Sequence, residues 1–367
     1  MVQLSRARTA AAVLATGVMA VSAVFTAPAA VAKGSSTPKP VASFDGPRGV
    51  DVDRDGRIVV GAADGTVSLV TDRGRHPKVR EIGSVPATGL APAVAAGRHD
   101  KFYALTGGGE PGTGAATLYL LRKGRDAKPI ADIAAYQQRD PDPFNQEGEP
   151  TESNPFGVAA LKDGSVLVAD AAGNDLLRVY PNGHIVTVAR LKPRTVEVPA
   201  GLPPEFDGNP IPPVGTEITA EAVATSVTVG PDGYWYVGEL RGFPATPGTS
   251  EIWRIKPGTR NAVCNPERPH KGDCRRFADG LTSIVDLAPG SHGSILAVEL
   301  VQQSWFQWEL ELVDPPIGGL FRVRPGGSIR ELVPGTLILP GGADTAPNGK
   351  IYVTGPVFGP GSLSRIG

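Results

Sequence analysis

The chain has 367 residues, of which 47 are glycine and 36 are proline, so these two residues occupy 83 of 367 positions, or 23%. Average proteins contain about 7% glycine and about 5% proline. Because both residues are unfavourable inside helices, this composition excludes a helical bundle. The apolar fraction of 41% is sufficient for a buried core. Many short strands joined by turns would use such a composition well.

The first 32 residues have the pattern of a secretory signal peptide. Arg6 and Arg8 give a basic start, and an apolar stretch follows over 9–25. Ala30-Val31-Ala32 is an A-x-A cleavage site, so we predict cleavage after Ala32 and export of the mature chain. An uncleaved membrane anchor is the alternative, but the apolar stretch is short for a bilayer and the A-x-A site argues against it.

The rest of the chain is predicted to divide into a flexible spacer over 33–39 and a folded domain over 40–367. The signal peptide holds two arginines and no acid, so the mature chain has 36 − 2 = 34 basic and 37 acidic residues, a net charge of −3. This charge balance argues against a basic surface that would bind nucleic acid or anionic lipid. No other apolar run is long enough for a bilayer, and we expect an extracellular monomer.

The chain has two cysteines, Cys264 and Cys274, in a segment rich in proline, glycine and charge. In an exported protein this spacing predicts a disulfide that closes a short loop. The alternative is a metal site formed with His270. Structural zinc requires four ligands, however, and the C-x-x-C pairs that usually supply them are missing from the sequence.

A hairpin unit recurs along the domain. Each copy has a short apolar strand, a tight turn that is often Asp-Gly, and a second apolar strand, which is the strongest short-range signal of a hairpin. The clearest copies join 50–52 to 58–60, 158–161 to 166–169, and 227–229 to 234–237. Weaker copies join 284–287 to 294–298, 343–346 to 350–353, and 93–95 to 101–105.

A third strand follows each hairpin, and a fourth strand closes most units as an antiparallel meander. Six such units fit the mature length, and radial repetition of four-stranded units predicts an all-β, six-bladed β-propeller. The sixth unit lacks a fourth strand before Gly367, whereas the apolar segment 40–44 precedes the first unit without a partner. We therefore predict that 40–44 closes the last blade as its outer strand.

Several stretches resemble the ScyD/ScyE family, which is named for proteins encoded beside the genes for the pigment scytonemin. They are NPFGV at 154–158, VLVADAAGNDLLRV at 166–179, TSV at 225–227, VGELRGFP at 237–244 and TSIVDL at 282–287. The family is similar to NHL and gluconolactonase-type six-bladed propellers. The resemblance therefore implies this fold and export, and it implies no particular reaction.

The loops of such a propeller separate into two faces. Turns between strands 1 and 2 and between strands 3 and 4 of each blade share one face, here called the tight-turn face. Turns between strands 2 and 3 and the links between blades share the opposite, loop-rich face. Long segments concentrate there, at 107–116, 136–153, 192–223, 240–250 and 301–317. Because binding residues favour loops on a rigid scaffold, we expect the site at the channel mouth on the loop-rich face.

The five histidines are all predicted on the tight-turn side, so a Ser-His-Asp or Cys-His arrangement is not expected at this mouth. The sequence also lacks the G-x-S-x-G, Walker and dinucleotide-binding motifs. Nucleophilic catalysis of those types is therefore disfavoured.

Four polar residues are predicted at the channel mouth. Asn154 begins a first strand, and Asp170, Glu239 and Glu299 end the second strands of three consecutive units. A gluconolactonase-like metal site needs several oxygen ligands, so these residues are candidates for Ca²⁺ or for a sugar-like polar ligand. The alternative, which is the commoner role, is that each side chain accepts N–H bonds from its own turn.

Two further acids, Asp51 and Asp286, lie mid-strand in matching register. Buried carboxylates need partners, so we predict that each bonds a neighbouring blade rather than a substrate. The segment 192–223 contains seven prolines, and we expect it to be extended across the loop-rich face, as a lid or as a spacer.

Trp305, Phe306 and Trp308 place two of the four tryptophans in one loop. Exposed aromatic residues mark contact sites for partners or for flat, sugar-like ligands. The alternative is a hydrophobic plug over the channel. The sequence therefore favours a secreted propeller that binds a ligand or partner through its loop-rich face. The alternative is an exported metal-assisted hydrolase of gluconolactonase or esterase type.

Overall fold

The structure, a computed structural model, describes residues 37–73 and 76–366. The predicted signal peptide, 1–32, and most of the predicted spacer lie outside the described residues. The described chain forms six antiparallel sheets of four strands, one of them extended by a fifth, parallel strand. They are the blades of a β-propeller, and the predicted fold class is confirmed.

The first three blades follow the predicted units. Strand β1 (Lys39–Asp45) precedes the first blade, which consists of β2 (Val50–Val52), β3 (Ile58–Gly61), β4 (Thr66–Thr71) and β5 (Lys78–Ser84). The second blade consists of β6 (Ala93–Ala96), β7 (Phe102–Leu105), β8 (Thr117–Arg122) and β9 (Arg125–Asp132), and it is followed by helix α1 (Ile133–Gln137). The third blade consists of β10 (Pro155–Ala160), β11 (Val166–Asp170), β12 (Asp175–Val179) and β13 (Ile185–Leu191).

The link to the fourth blade carries β14 (Arg194–Glu197), β15 (Glu205–Phe206), β16 (Asn209–Pro210) and β17 (Glu217–Ala220). The next segment holds β18 (Ala224–Val229), β19 (Trp235–Glu239), β20 (Ser250–Ile255), β21 (Ala262–Cys264) and β22 (Cys274–Leu281), of which all but β21 form the fourth blade. The fifth blade consists of β23 (Ile284–Pro289), β24 (Ile295–Glu299), β25 (Gly319–Val323) and β26 (Ile329–Glu331). A 3₁₀ turn (Ser291–Gly293) and helix α2 (Trp305–Glu309) interrupt it, and β27 (Gly342–Thr345), β28 (Ile351–Gly355) and β29 (Pro360–Ile366) follow.

Strand β1 closes the ring. It pairs antiparallel with β29, from Lys39 opposite Arg365 to Asp45 opposite Pro360. The sixth blade therefore has the order β1-β29-β28-β27 and combines strands from both ends of the domain. The predicted closing strand over 40–44 is confirmed.

The tight turns follow from the Asp-Gly pairs. Gly164 has a φ of 87° and Gly233 has a φ of 79°, a region that favours glycine because a side chain would be strained there. Asp163, just before Gly164, accepts the backbone N–H of Ser165 at 3.0 Å through Oδ1. Glycine thus permits the backbone conformation of the turn, and aspartate accepts a backbone N–H group of the same turn.

The core lies between neighbouring blades. Leu176 of the third blade and Trp253 of the fourth belong to one buried cluster, and Val67 of the first blade and Phe102 of the second belong to another. Burial of such apolar surface stabilises the fold by about 25 cal/mol per Å². The interlocked blades therefore hold the loops of both faces on a rigid ring.

The predicted disulfide between Cys264 and Cys274 is present, and both cysteines are buried. Cys264 ends β21, which pairs in parallel with β13 at the outer edge of the third blade. Cys274 begins β22 of the fourth blade. The disulfide thus joins the edge of one blade covalently to the next.

The link 192–223 folds back on itself rather than lying extended as predicted. Strand β14 pairs with β17, and β15 pairs with β16, which gives two short hairpins within the segment. This segment is called the lid below. Within the described ranges, no helix is both long and apolar enough to cross a membrane.

Candidate functional site

The innermost strands of the six blades line a central channel. Strands β2, β6, β10, β18, β23 and β27 surround a cavity of about 240 Å³. At its loop-rich end Arg48, Phe156 and Val285 are buried, whereas at the other end Ala160 and Pro289 are half-exposed. The channel is therefore closed toward the loop-rich face and open toward the tight-turn face.

Arg48 closes the channel as a crossbar between blades. Its Nη2 donates to the carbonyl oxygen of Phe156 at 2.6 Å, and its Nε donates to that of Ala91 at 3.1 Å. The guanidinium carbon also lies 3.9 Å from the centroid of the Phe156 ring. Burial lowers the pKa of Arg48 to about 10, while the charge of Asp286 acts in the opposite direction. One side chain thus joins the first, second and third blades.

The two mid-strand aspartates bond neighbouring blades, as predicted. The N–H of Ala96 in the second blade donates to Oδ2 of Asp51 in the first at 2.7 Å. The N–H of Ala343 in the sixth blade donates to Oδ2 of Asp286 in the fifth at 2.8 Å. Burial raises the pKa of Asp286 to about 7. Both carboxyls therefore hold the inner strands in register around the channel.

Asp51 also forms a carboxyl pair with Asp344. The N–H of Val52 donates to Oδ1 of Asp51 and to Oδ2 of Asp344, each at 2.7 Å. Because both carboxyls accept the same N–H, their oxygens lie side by side. Burial raises the pKa of both groups, and that of Asp344 lies well above its usual range. Ionisation of one carboxyl disfavours ionisation of its neighbour, because two like charges would lie close together.

An aromatic cover lies over the closed end of the channel. It combines rings from the lid, from the β19–β20 and β28–β29 turns and from α2, namely Phe206, Phe243, Trp305, Phe306, Trp308 and Phe358. Phe306 makes edge contacts with Phe206 and Phe243, at centroid distances of 5.2 and 5.4 Å. Trp305 is buried, and its Nε1 donates to the carbonyl oxygen of Arg241 at 2.8 Å. For Trp305 and Phe306 the structure thus shows the hydrophobic plug.

Trp308 is a partly accessible ring of this cover, as are Phe206, Phe243 and Phe358. It is half-buried and stacks on the half-buried Phe358, with ring centroids 5.4 Å apart and an interplanar angle of 25°. Glu309 follows in the same helix, and its carboxylate meets neither a donor nor a cation within residues 37–73 and 76–366. Burial raises the pKa of Glu309 to about 8. The two stacked rings form a small apolar platform, here called the Trp308 surface.

Asn154 and Asp170, two of the predicted ligands, bond each other and their own loops. Oδ1 of Asp170 accepts the N–H groups of Asn154 at 2.7 Å and of Gly173 at 3.2 Å. Its Oδ2 accepts from Ser153 Oγ at 2.7 Å. Oδ1 of Asn154 accepts the N–H of Gly108 at 2.8 Å. Both side chains are buried in these contacts, and burial raises the pKa of Asp170.

Glu239 and Glu299, the other two predicted ligands, are also engaged internally. Oε1 of Glu239 accepts the indole Nε1–H of Trp253 at 2.6 Å, and its Oε2 pairs with Arg241. Oε1 of Glu299 accepts the N–H of Thr282 at 2.7 Å. Burial raises the pKa of each glutamate to about 8.

The predicted cation ligands do not form a recognisable metal site. Among the residues that the structure describes, no group of three or more His, Cys, Asp or Glu side chains could hold a metal ion. Asp170 accepts the N–H of Gly173 in its own turn, as the predicted alternative requires, whereas Glu299 accepts the N–H of Thr282, which lies outside its own turn. Calcium binding by the four predicted residues stays a prediction from the sequence.

Three features of this region were not predicted. They are the crossbar Arg48, the pairing of Asp344 with Asp51, and the stacking of Phe358 on Trp308. Asp344 did carry a signal, since it also lies within a first strand, as Asp51 and Asp286 do. No sequence pattern indicated the role of Phe358, because its position depends on the closure of the sixth blade beside the fifth.

Comparisons with known proteins agree with this architecture. No protein-family model matches the chain, and no curated protein matches it in sequence. Among solved structures, a glucose dehydrogenase is 15% identical with a TM-score of 0.54, covering 90% of this chain and 99% of its own. The PQQ-bound aldose sugar dehydrogenase of Streptomyces coelicolor is 13% identical with a TM-score of 0.52, covering 92% and 99%. A gluconolactonase of Xanthomonas campestris is 12% identical with a TM-score of 0.51, covering 93% and 99%.

At these identities the likeness establishes the fold alone. The chain shares the β-propeller architecture with a lactonase and with dehydrogenases of unlike chemistry. Function must therefore be argued from its own residues.

Proposed function

We propose that this chain is an exported, ScyD/ScyE-like propeller that binds carbohydrate through the Trp308 surface on its loop-rich face. Export rests on the N-terminal sequence, where Arg6, Arg8 and the A-x-A site at Ala32 form a signal peptide pattern. Sequencing of the exported protein from its N-terminus should begin at Lys33. An N-terminus at Met1 would contradict export by this route.

The observation that carries binding is the aromatic cover. Trp305 and Phe306 are buried and fix the position of α2, while Trp308 and Phe358 remain half-exposed on the same element and its neighbour. A rigid platform of two aromatic rings supplies contact area at little entropic cost. The cover also separates this platform from the polar channel beneath it, which favours binding over catalysis at this face.

A sugar ring fits this surface chemically. The C–H faces of a pyranose are flat and apolar, so they stack on a tryptophan, while its hydroxyl groups need polar partners. The carboxyl of Glu309, next to Trp308 and without an internal partner within the described ranges, is available to a hydroxyl.

Calorimetric titration with cello-, chito- and xylohexaose tests the proposal. We expect at least one hexasaccharide to bind the wild type. Trp308→Ala should raise its Kd up to about tenfold, because a stacked ring contributes up to about 1.5 kcal/mol and about 1.4 kcal/mol corresponds to a factor of ten. Trp308→Phe should give an intermediate Kd because it keeps a ring.

The matched control is Tyr234→Ala. Tyr234 is also a half-buried aromatic residue, but it lies in the β18–β19 turn on the tight-turn face. Its removal should leave the Kd unchanged. Absence of binding to all three sugars, or equal losses in the Trp308→Ala and Tyr234→Ala variants, would contradict the proposal.

A second candidate is an exported hydrolase of gluconolactonase or esterase type. The observation that favours it is the carboxyl pair of Asp51 and Asp344, which lines a channel open to solvent. A protonated and an ionised carboxyl side by side can serve as general acid and base. Wild-type protein should then hydrolyse δ-gluconolactone and Asp344→Asn should not, with or without 5 mM calcium. Equal rates with no protein and with wild type would remove this candidate.

A further inference from the structure

A second cavity lies between the second and third blades on the tight-turn face. Its volume is about 380 Å³, within the range of about 300–1,000 Å³ that is typical of small-molecule pockets. The second blade supplies one wall through β8 and β9, and the third supplies the other through its two tight turns. The residues that carry the argument are Lys101, Leu120, Arg122, Lys128, Ile130 and Tyr180.

Three cationic side chains line this cavity without an acidic partner. Lys101 is half-exposed, and Arg122 and Lys128 are exposed. None of the three head groups has a hydrogen bond or ion pair with another described residue. Asp163 lies in the adjacent turn, but its carboxylate is taken up by Arg178. The groove therefore holds three positive charges that nothing within the described chain neutralises.

Strand geometry directs Arg122 toward the groove. Leu118, Leu120 and Arg122 alternate along β8, so their side chains share one face of the strand, and all three line the cavity. Tyr103 lines the same cavity. The phenol of Tyr103 donates to the carbonyl oxygen of Gly164 across the blade interface at 3.3 Å. Arg122 is thus an exposed cation on the face of β8 that lines the groove.

Apolar side chains complete the wall. Leu120, Ile130 and the ring of Tyr180 are half-buried, so part of each remains accessible. A cationic rim beside an apolar wall suits a ligand that has both a negative group and a nonpolar body. We propose that this groove binds a small organic anion, with its carboxylate, phosphate or sulfonate on Lys101, Arg122 and Lys128 and its body on the apolar wall.

This site is independent of the Trp308 surface. It lies on the opposite face, between other blades, and selects negative charge rather than a neutral sugar ring. The net charge of the mature chain is −3, so an anion would not be attracted by the molecule as a whole. Local charge in the groove must supply the attraction, which makes the prediction specific to these residues.

Titration with 8-anilino-1-naphthalenesulfonate tests the proposal, because this dye has a sulfonate and an apolar body. The wild type should bind it saturably in 50 mM salt, with a fluorescence increase, and 500 mM salt should weaken binding because it screens the charges. Arg122→Gln/Lys128→Gln should raise the Kd about tenfold. N-phenyl-1-naphthylamine, which lacks the sulfonate, should bind the wild type at least tenfold more weakly.

The matched control is Lys123→Gln/Arg125→Gln. These two exposed residues lie on the same hairpin and carry the same charge, but they do not line the groove. The control should keep the wild-type Kd, and so should Trp308→Ala, which separates this site from the Trp308 surface. Equal losses in both charge variants, loss in Trp308→Ala alone, or equal affinity for the two dyes would overturn the proposal.

Discussion

Arg48 and Phe156 are 108 residues apart in sequence, and the guanidinium of Arg48 donates to the carbonyl oxygen of Phe156 at 2.6 Å. This bond joins the first blade to the third across the channel and closes it beneath the aromatic cover. The result is a propeller whose loop-rich face is sealed and whose channel opens on the opposite face. Candidate sites on the two faces are therefore physically separate.

Replacement of the crossbar should destabilise the ring. Arg48→Met removes the donors to two buried carbonyl oxygens, those of Ala91 and Phe156, and the charge that faces Asp286. We expect the free energy of unfolding in urea to fall by about 2–4 kcal/mol. Arg330→Met, at an exposed position, is the control and should change it little. Equal stability of both variants would show that the crossbar contributes nothing.

Removal of the closing strand should weaken the whole domain. A mature chain that lacks 33–45 loses β1 and leaves β29 as an unpaired edge. We expect the melting temperature to fall by more than about 5 °C, since about 1 kcal/mol corresponds to about 2–4 °C for a domain of some 150–250 residues. A chain that lacks only 33–38 keeps β1 and should melt as the full mature chain does. An unchanged melting temperature without 33–45 would refute closure by this strand.

The disulfide should also add to the free energy of unfolding. Cys264→Ser/Cys274→Ser opens the loop between β21 and β22 and should lower the free energy of unfolding by about 2–3 kcal/mol. Wild-type protein in reductant should approach the same value. Thiol titration of the exported protein under denaturing conditions should find no free thiol, and two reactive thiols would contradict the pairing.

Stability should fall as the pH rises toward 8. Burial raises the pKa of Glu299 to about 8, whereas an unfolded glutamate has a pKa of about 4.3. Between these values the folded state holds the extra proton, so each pH unit costs up to about 1.4 kcal/mol for this group. Glu299→Gln keeps an oxygen for the N–H of Thr282 and should flatten the profile measured by urea unfolding from pH 5.5 to 7.5.

The exposed Glu267 provides the control for this effect. Glu267→Gln should leave the pH profile of the wild type intact. Parallel profiles for wild type and Glu299→Gln would contradict the role of Glu299 in the pH dependence.

Local signals were sufficient to predict most of the fold. Asp-Gly pairs such as Asp163-Gly164 mark the hairpins, and the unpaired segment 40–44 indicated closure with the last strand. The lid was not predicted correctly, because its prolines favour an extended chain, whereas the pairing of β14 with β17 depends on contacts between distant residues. Likewise, β21 pairs in parallel with β13 across a blade boundary, and no periodic pattern in the sequence predicts this pairing.

The candidate site was harder to predict. Sequence position placed Asp170 and Glu239 near the channel mouth, but whether a carboxylate faces a ligand or its own loop depends on side-chain packing. The carboxylate of Asp170 accepts backbone N–H groups. The carboxylate of Glu239 accepts a hydrogen bond from Trp253 and pairs with Arg241. The tryptophan cluster was the more useful signal, although the sequence could not separate the buried Trp305 from the accessible Trp308.

The most direct test of the central claim is a ¹⁹F spectrum of protein labelled with 5-fluorotryptophan. The chain has four tryptophans, of which Trp235, Trp253 and Trp305 are buried and Trp308 is half-exposed. The Trp308→Phe variant assigns the Trp308 resonance. Saturation with the hexasaccharide that binds in calorimetry should shift the Trp308 resonance well beyond the other three. A spectrum in which that resonance does not move while binding is saturated would contradict the account.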